Sequence, residues 1–97
     1  MKNQNPADLS PMMQQYLSMK EQCGDAILFF RCGDFYEMFM DDAVKASELL
    51  DIALTKKSIG KGQTVPLAGI PFHAAQNYIY RLTRQGCRVA VCEQMEL

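Results

Sequence analysis

The sequence has no excess of basic charge: ten lysines and arginines are opposed by eleven aspartates and glutamates, giving a net charge of −1 over 97 residues. Because neutralisation of phosphates supplies most non-specific affinity for nucleic acids, this chain alone should hold DNA weakly. It also lacks a run of about 18 apolar residues, so we expect no membrane partner. The polar start, MKNQNPADLS, does not resemble a signal peptide, and we expect a cytoplasmic protein.

Motifs for metal binding and catalysis are equally scarce. The chain has one histidine, His73, and four cysteines without a Cys-x-x-Cys pair, which disfavours a zinc site and favours reduced thiols. It contains no Gly-x-Ser-x-Gly, Gly-x-x-x-x-Gly-Lys or His-Glu-x-x-His motif. Four acids crowd positions 34–42, as a metal nuclease would require, but no Glu-x-Lys or Asp-x-Lys element accompanies them. We therefore expect no catalytic residue, metal or cofactor in this chain.

Apolar spacing and turn residues indicate a single small α/β (α+β) domain over residues 1–97, with one mixed β-sheet and flanking helices. We expect a flexible segment at 1–9 and a truncation near the C-terminal end. The first predicted elements are a helix that begins at Ser10 and Pro11 and ends at Gly24, and a hairpin of strands 26–32 and 35–40 around Gly33-Asp34. Next come a helix at 43–50 capped by Asp41 and Asp42, a strand at 52–55, a basic loop at 56–63 and an extended edge segment at 65–71. The last two are a helix that ends before Gly86 and a strand at 88–94 that is buried on both faces.

The segment CGDFYEMF, residues 32–39, combines aromatic rings with acids. Strand side chains alternate between faces, so Phe35 and Glu37 share one face near the hairpin tip while Tyr36 lies on the other. Two interpretations stay open. The pattern alone favours Phe35 as a core residue beside a solvated Glu37, whereas a ring and a carboxylate presented together at a protruding tip also suit insertion into something stacked.

The basic segment that follows allows two interpretations as well. Lys56, Lys57 and Lys61 form a solvated loop in one, and in the other they form a rim that contacts phosphates beside the hairpin.

Five ordered blocks make the chain similar to a known family. They are PMMQQYLSMK at 11–20, GDFYEMFMDDA at 33–43, LLDIALTKK at 49–57, PLAGIPFHA at 66–74 and CEQ at 92–94. In order and spacing they resemble the N-terminal mismatch-recognition domain, domain I, of the MutS family of DNA mismatch repair proteins. A lone Phe-x-Glu would carry no information, but five blocks over nearly the whole chain are specific.

The resemblance implies a role for each residue of the hairpin strand. Phe35 would stack from the minor groove on a mispaired or unpaired base of duplex DNA, Glu37 would hydrogen-bond that base, and Tyr36 would pack inside the domain. Further candidates for backbone or groove contacts are Arg31, Lys56, Lys57, Pro66 and Leu67.

The resemblance also implies a larger parent protein. It would be a homodimeric clamp with a MutL-type partner, and its ATPase domain, with ATP and magnesium, would lie outside this chain. The domain itself would be a DNA-binding module rather than an enzyme. Two other classes stay open on the residues alone: a protein-interaction domain that pairs through an exposed hairpin edge, and a metal nuclease.

Overall fold

A computed structural model describes residues 9–93, which form a five-stranded mixed sheet with helices on both faces. The α/β prediction is confirmed. The helices are α1 (Pro11–Cys23), α2 (Met40–Leu50) and α3 (Ala75–Arg84), the last preceded by a 3-10 turn at Phe72–Ala74; the strands are β1 (Ile27–Cys32), β2 (Phe35–Phe39), β3 (Thr55–Gly60), β4 (Gln63–Pro71) and β5 (Val89–Cys92).

The strand order is β3-β4-β2-β1-β5, so the predicted hairpin occupies the middle of the sheet. Strands β1 and β2 pair antiparallel, β2 pairs antiparallel with β4, and β4 pairs antiparallel with β3. Only the pairing of β1 with β5 is parallel among the described strands. Both hairpin strands therefore have a neighbour on each side.

The sheet separates two apolar clusters, because successive strand residues point to opposite faces. One cluster joins the sheet to α1 through Met13, Tyr16, Leu28, Phe30, Phe39, Ile59 and Val65. The other joins it to α2 and α3 through Ile27, Phe29, Tyr36, Met38, Ala43, Ala46, Ala68, Ile70 and Leu82.

Helix α1 begins as the sequence predicts. The Ser10 hydroxyl accepts a hydrogen bond from the Met13 amide at 3.2 Å, and Pro11 occupies the first helical turn. Gly24 follows the helix with a φ of 64°, a left-handed value that favours glycine. The expected flexible segment, 1–9, lies outside the described residues except for Leu9, whose side chain is buried against α1.

Helix α2 begins differently from the prediction. Its N-cap is Phe39, and no side chain caps it. Asp42 is instead buried, at 7% exposure, where its carboxylate accepts from the Leu28 amide at 3.0 Å and pairs with the Lys20 ammonium at 2.9 Å. A buried carboxylate needs such partners, so Asp42 connects α2 to β1 and α1 rather than serving as a cap.

Four predictions for the second half of the chain are wrong. Residues 52–54 are not a strand, and the predicted basic loop is a second hairpin, with β3 and β4 joined at Lys61-Gly62. The predicted edge segment is β4, which pairs on both sides because its first half faces β3 and its second half faces β2. Strand β5 is an edge strand rather than a strand buried on both faces, and Val91 is half exposed.

No helix within residues 9–93 is long and apolar enough to cross a membrane. Within the same residues, no three histidine, cysteine, aspartate or glutamate side chains are grouped to hold a metal ion.

Candidate nucleic-acid interface

The tip of the β1–β2 hairpin presents one aromatic side chain to solvent. Gly33 turns the chain with a φ of 61°, and Cys32 pairs with Phe35 directly after the turn. Phe35 is 48% exposed, whereas Tyr36, the next residue, is 6% exposed. The Phe72 amide donates to the Asp34 carbonyl at 2.7 Å, which attaches the turn to the end of β4. The hairpin therefore holds an exposed ring on a supported backbone.

Phe35 and Glu37 converge above a glycine on the adjacent strand. Glu37 pairs with Gly69 of β4, so both residues address the same face of the sheet. A Cβ atom on Gly69 would lie 3.8 Å from Glu37 Cγ and 3.9 Å from Phe35 Cδ2. Because glycine has no side chain, the space between the ring and the carboxylate stays open.

The Glu37 carboxylate carries an unsatisfied oxygen. Its Oε1 atom is buried, yet it has no hydrogen-bond partner within residues 9–93. Leaving a buried acceptor unpaired costs about 1–3 kcal/mol. A ligand that brought an N–H or O–H donor to this atom would recover that free energy, so the geometry equips Glu37 to bind a polar group beside the Phe35 ring.

Cys32 lies close enough to Glu37 for the carboxylate charge to affect the pKa of the thiol. Burial raises the pKa of the Cys32 thiol to about 12, and the nearby Glu37 carboxylate adds to the rise, while the Lys57 ammonium opposes it. The thiol is thus neutral at physiological pH. Glu37 and Lys57 place opposite charges around it on one face of the sheet.

The strand registers separate the predicted site residues into two groups. Leu67 pairs with Phe39 on one side and Thr55 on the other, which puts Leu67 on the Phe35 face. By the same alternation Lys57 shares that face. Lys56 and Pro66, which pair with each other, lie on the opposite face. The structure therefore brings Phe35, Glu37, Leu67 and Lys57 to one face and leaves Lys56 and Pro66 off it.

Arg31 also lies on the face of the sheet opposite Phe35, because it pairs with Tyr36. Its guanidinium carbon is 3.5 Å from the centre of the Phe72 ring, and its Nε donates to the Gly33 carbonyl at 2.6 Å. Its Nη1 forms an ion pair with Glu93 at 3.3 Å. These contacts support the hairpin from the back, and Arg31 does not join Phe35 and Glu37.

Two residues of the site were missed from the sequence. Gly69 reads as an ordinary glycine in an extended segment until β4 is paired with β2. Cys32 could have been found, because a two-residue turn at Gly33-Asp34 places it directly opposite Phe35.

Comparison with known proteins gives consistent matches. The family described as MutS domain I matches residues 10–97. Proteins called DNA mismatch repair protein MutS align with 60% identity over 88 residues in Ruegeria pomeroyi, 54% over 90 in Staphylococcus epidermidis and 56% over 88 in Clostridium tetani. The alignments cover 91%, 93% and 91% of this chain, which spans about 10% of the length of each relative.

Proposed function

The chain belongs to the MutS family, in which it corresponds to domain I, and from this premise we propose that it recognises mispaired or unpaired bases in duplex DNA and so initiates mismatch repair. Phe35 inserts from the minor groove and stacks on the base, and Glu37 makes the polar contact to that base.

One observation carries the proposal: Phe35 is exposed at the hairpin tip beside a Glu37 oxygen that is buried and unpaired. A phenylalanine that served the core would be covered, as Phe30 and Phe39 are at 0% exposure. The exposure of Phe35 therefore disfavours the core interpretation, and the unpaired oxygen gives a reason for a carboxylate at its side.

The free-energy cost of inserting a side chain favours sites where the bases are already poorly stacked. Driving a side chain between base steps costs about a few kcal/mol of unstacking and kinks the duplex. A mispaired or unpaired base is already poorly stacked, so the cost is lower there, and the ring recovers about 1–3 kcal/mol by stacking. Phe35 thus reads deformability rather than base identity, which suits recognition of many different errors.

Glu37 adds a hydrogen bond to the base to the stacking contact that Phe35 makes. Its unpaired Oε1 can accept a hydrogen bond from a base N–H, and a protonated carboxyl can donate to a base acceptor. The phosphates of the duplex repel an ionised carboxylate. On well-stacked DNA the carboxylate gains no partner and only the repulsion remains, so Glu37 penalises undistorted duplex.

Phosphate contacts beside this pair fall to Lys57 on the same face. The chain's net charge of −1 leaves little further attraction, so we propose that the rest of the protein supplies it. By the same family membership, the full-length protein would be a homodimer that binds ATP and magnesium outside residues 1–97 and works with a MutL-type partner.

The strand pairing disfavours the alternative of a protein-interaction domain that pairs through an exposed hairpin edge. It requires an open edge on β1 or β2, yet β1 pairs with β2 and β5, and β2 pairs with β1 and β4.

The proposal is tested by measuring Kd for a G·T duplex and a matched duplex at one fixed salt concentration, with the full-length protein and its Phe35→Ala variant. We expect affinity for the G·T duplex to fall by about 1–3 kcal/mol while matched binding changes little. Tyr80→Ala is the matched control, because Tyr80 is an exposed aromatic residue on α3. Full discrimination by Phe35→Ala would refute the insertion role.

A further inference from the structure

Behind the hairpin, on the face opposite Phe35, four side chains form what we call the Glu93 cluster: Arg31, Tyr36, Phe72 and Glu93. The Tyr36 hydroxyl donates to Glu93 Oε2 at 2.7 Å, and Arg31 Nη1 reaches Glu93 Oε1 at 3.3 Å. The Arg31 guanidinium also stacks on the Phe72 ring. Each oxygen of Glu93 therefore has its own partner.

The Glu93 cluster connects three separate parts of the chain. Glu93 follows the end of β5, Phe72 follows the end of β4, and Arg31 and Tyr36 belong to the two hairpin strands. Arg31 also holds the turn itself, through its bond to the Gly33 carbonyl. Motion of the tip relative to the sheet would break several of these contacts together.

From this arrangement we infer that Glu93 is a positioning residue for Phe35 and Glu37, an inference that rests on the proposed function. Tyr36 lies between those two residues in β2, and its side chain points to the other face. The bond from the Tyr36 hydroxyl to Glu93 adds a side-chain restraint on the rotation of β2 to the backbone pairing of β2 with β1 and β4. That rotation determines where the ring of Phe35 and the carboxylate of Glu37 point.

The chemistry of Glu93 suits this task. Tyr36 is 6% exposed, so its hydroxyl needs an acceptor, and Glu93 supplies one at short range. Burial, followed by the Glu93 hydrogen bond and charge, raises the pKa of Tyr36, which keeps the hydroxyl a donor at neutral pH. In the Arg31–Glu93 pair the glutamate side chain is 59% exposed and the arginine side chain 28%, and an ion pair with an exposed partner contributes little to stability. Loss of Glu93 should therefore lower the melting temperature modestly, by leaving the Tyr36 hydroxyl without its acceptor, and change the geometry of the tip.

The test compares Glu93→Ala, Tyr36→Phe and the double variant in the full-length protein, by the ratio of Kd for matched and G·T duplexes. We expect each single variant to lower this mismatch preference by about 2- to 10-fold, the effect of one net hydrogen bond, and the double variant to lower it no further. Asp25→Ala is the matched control, since it removes the exposed Asp25–Arg88 ion pair at the other end of the β1–β5 pair. A melting temperature lowered without any change in mismatch preference would assign Glu93 a structural role and overturn the inference.

A second measurement asks whether Glu93 acts through Phe35. On a Phe35→Ala background, Glu93→Ala should cause a smaller further loss of mismatch preference than in the wild type, because only the Glu37 carboxylate remains to be positioned. An additional loss as large as in the wild-type background would overturn the inference. If Phe35→Ala abolishes discrimination while Glu93→Ala retains it, the inference fails and the proposed function stands. If Phe35→Ala itself discriminates fully, both fail.

Discussion

Gly69 faces Glu37 across the β2–β4 ladder, and a Cβ atom added to Gly69 would touch both Glu37 Cγ at 3.8 Å and Phe35 Cδ2 at 3.9 Å. The absence of a side chain at this one position keeps the space beside the ring and the carboxylate free of side-chain atoms. The added atom would also lie 3.5 Å from the Tyr36 carbonyl oxygen. All three distances are ordinary van der Waals contacts, so the space can be filled without distorting the sheet.

Gly69→Ala should therefore separate binding from folding. We expect the melting temperature to be unchanged or slightly higher, because alanine loses less backbone entropy than glycine on folding, a gain of about 0.5–1 kcal/mol. Mismatch preference should fall, because the methyl group occupies the space that a stacked base needs. Thr64→Ala, at an exposed position of the same strand, is the control. Retained preference in Gly69→Ala would show that the base does not approach this space.

Glu37→Gln should weaken discrimination without weakening binding. Glutamine keeps the shape and a donor, and it removes the repulsion from phosphates, so affinity for matched DNA should be equal or tighter by up to about 1 kcal/mol. The ratio of Kd for matched and G·T duplexes should approach one. Fluorescence anisotropy titrations at fixed salt measure both quantities. A variant that binds matched DNA more weakly than the wild type would contradict this account of Glu37.

The two adjacent lysines of β3 should differ in their effect on DNA binding. Lys57 shares the Phe35 face, whereas Lys56 lies on the other face of the sheet. In the full-length protein, Lys57→Ala should weaken binding to matched and mismatched DNA alike. The slope of log K against log salt should become shallower by about one unit. Lys56→Ala is the matched control, expected to keep the wild-type slope, and equal effects of both substitutions would contradict the assignment of faces.

Cys32 offers a chemical probe of Glu37. With a pKa raised to about 12, the thiol should react with iodoacetamide at pH 8 about 1,000-fold more slowly than the same thiol in the unfolded chain, because only the thiolate reacts. Glu37→Gln removes a charge that raises this pKa, so the pKa should fall and alkylation should accelerate. Peptide mapping by mass spectrometry follows Cys32 separately from the other three cysteines. An unchanged rate in Glu37→Gln would mean that the carboxylate does not influence the thiol.

The sequence predicted correctly those elements whose ends are marked by capping or turn residues. Ser10 and Pro11 mark the start of α1, and Gly33-Asp34 marks the turn of the first hairpin. The alternation of Phe35, Tyr36 and Glu37 also holds in the structure, because it follows from strand geometry alone. The choice between an exposed and a buried Phe35 required the packed sheet, since either face of a hairpin can be covered.

The second hairpin was missed although its two strands are adjacent in sequence, because β3 lacks the apolar alternation that marks a strand. Strand β3 carries two lysines and little apolar alternation, so it reads as a loop until Lys57 is paired with Val65 of β4 and Ile59 is packed on the α1 side of the sheet. The same pairing with β4 places Lys56 on the face of the sheet opposite Phe35. The position of Arg31 was within reach of the sequence: a two-residue turn pairs it with Tyr36 and hence assigns it to the opposite face.

The parallel pairing of β1 with β5 joins strands from opposite ends of the described chain. A ribosome makes β1 long before β5, so one edge of the nascent sheet stays open while β2, α2, β3, β4 and α3 are synthesised. An unpaired strand edge is a template for association with other chains. The exposure of that edge during translation therefore ends only when Cys92 has left the ribosome, and substitutions that weaken β5 should lower the yield of soluble protein before they affect DNA binding.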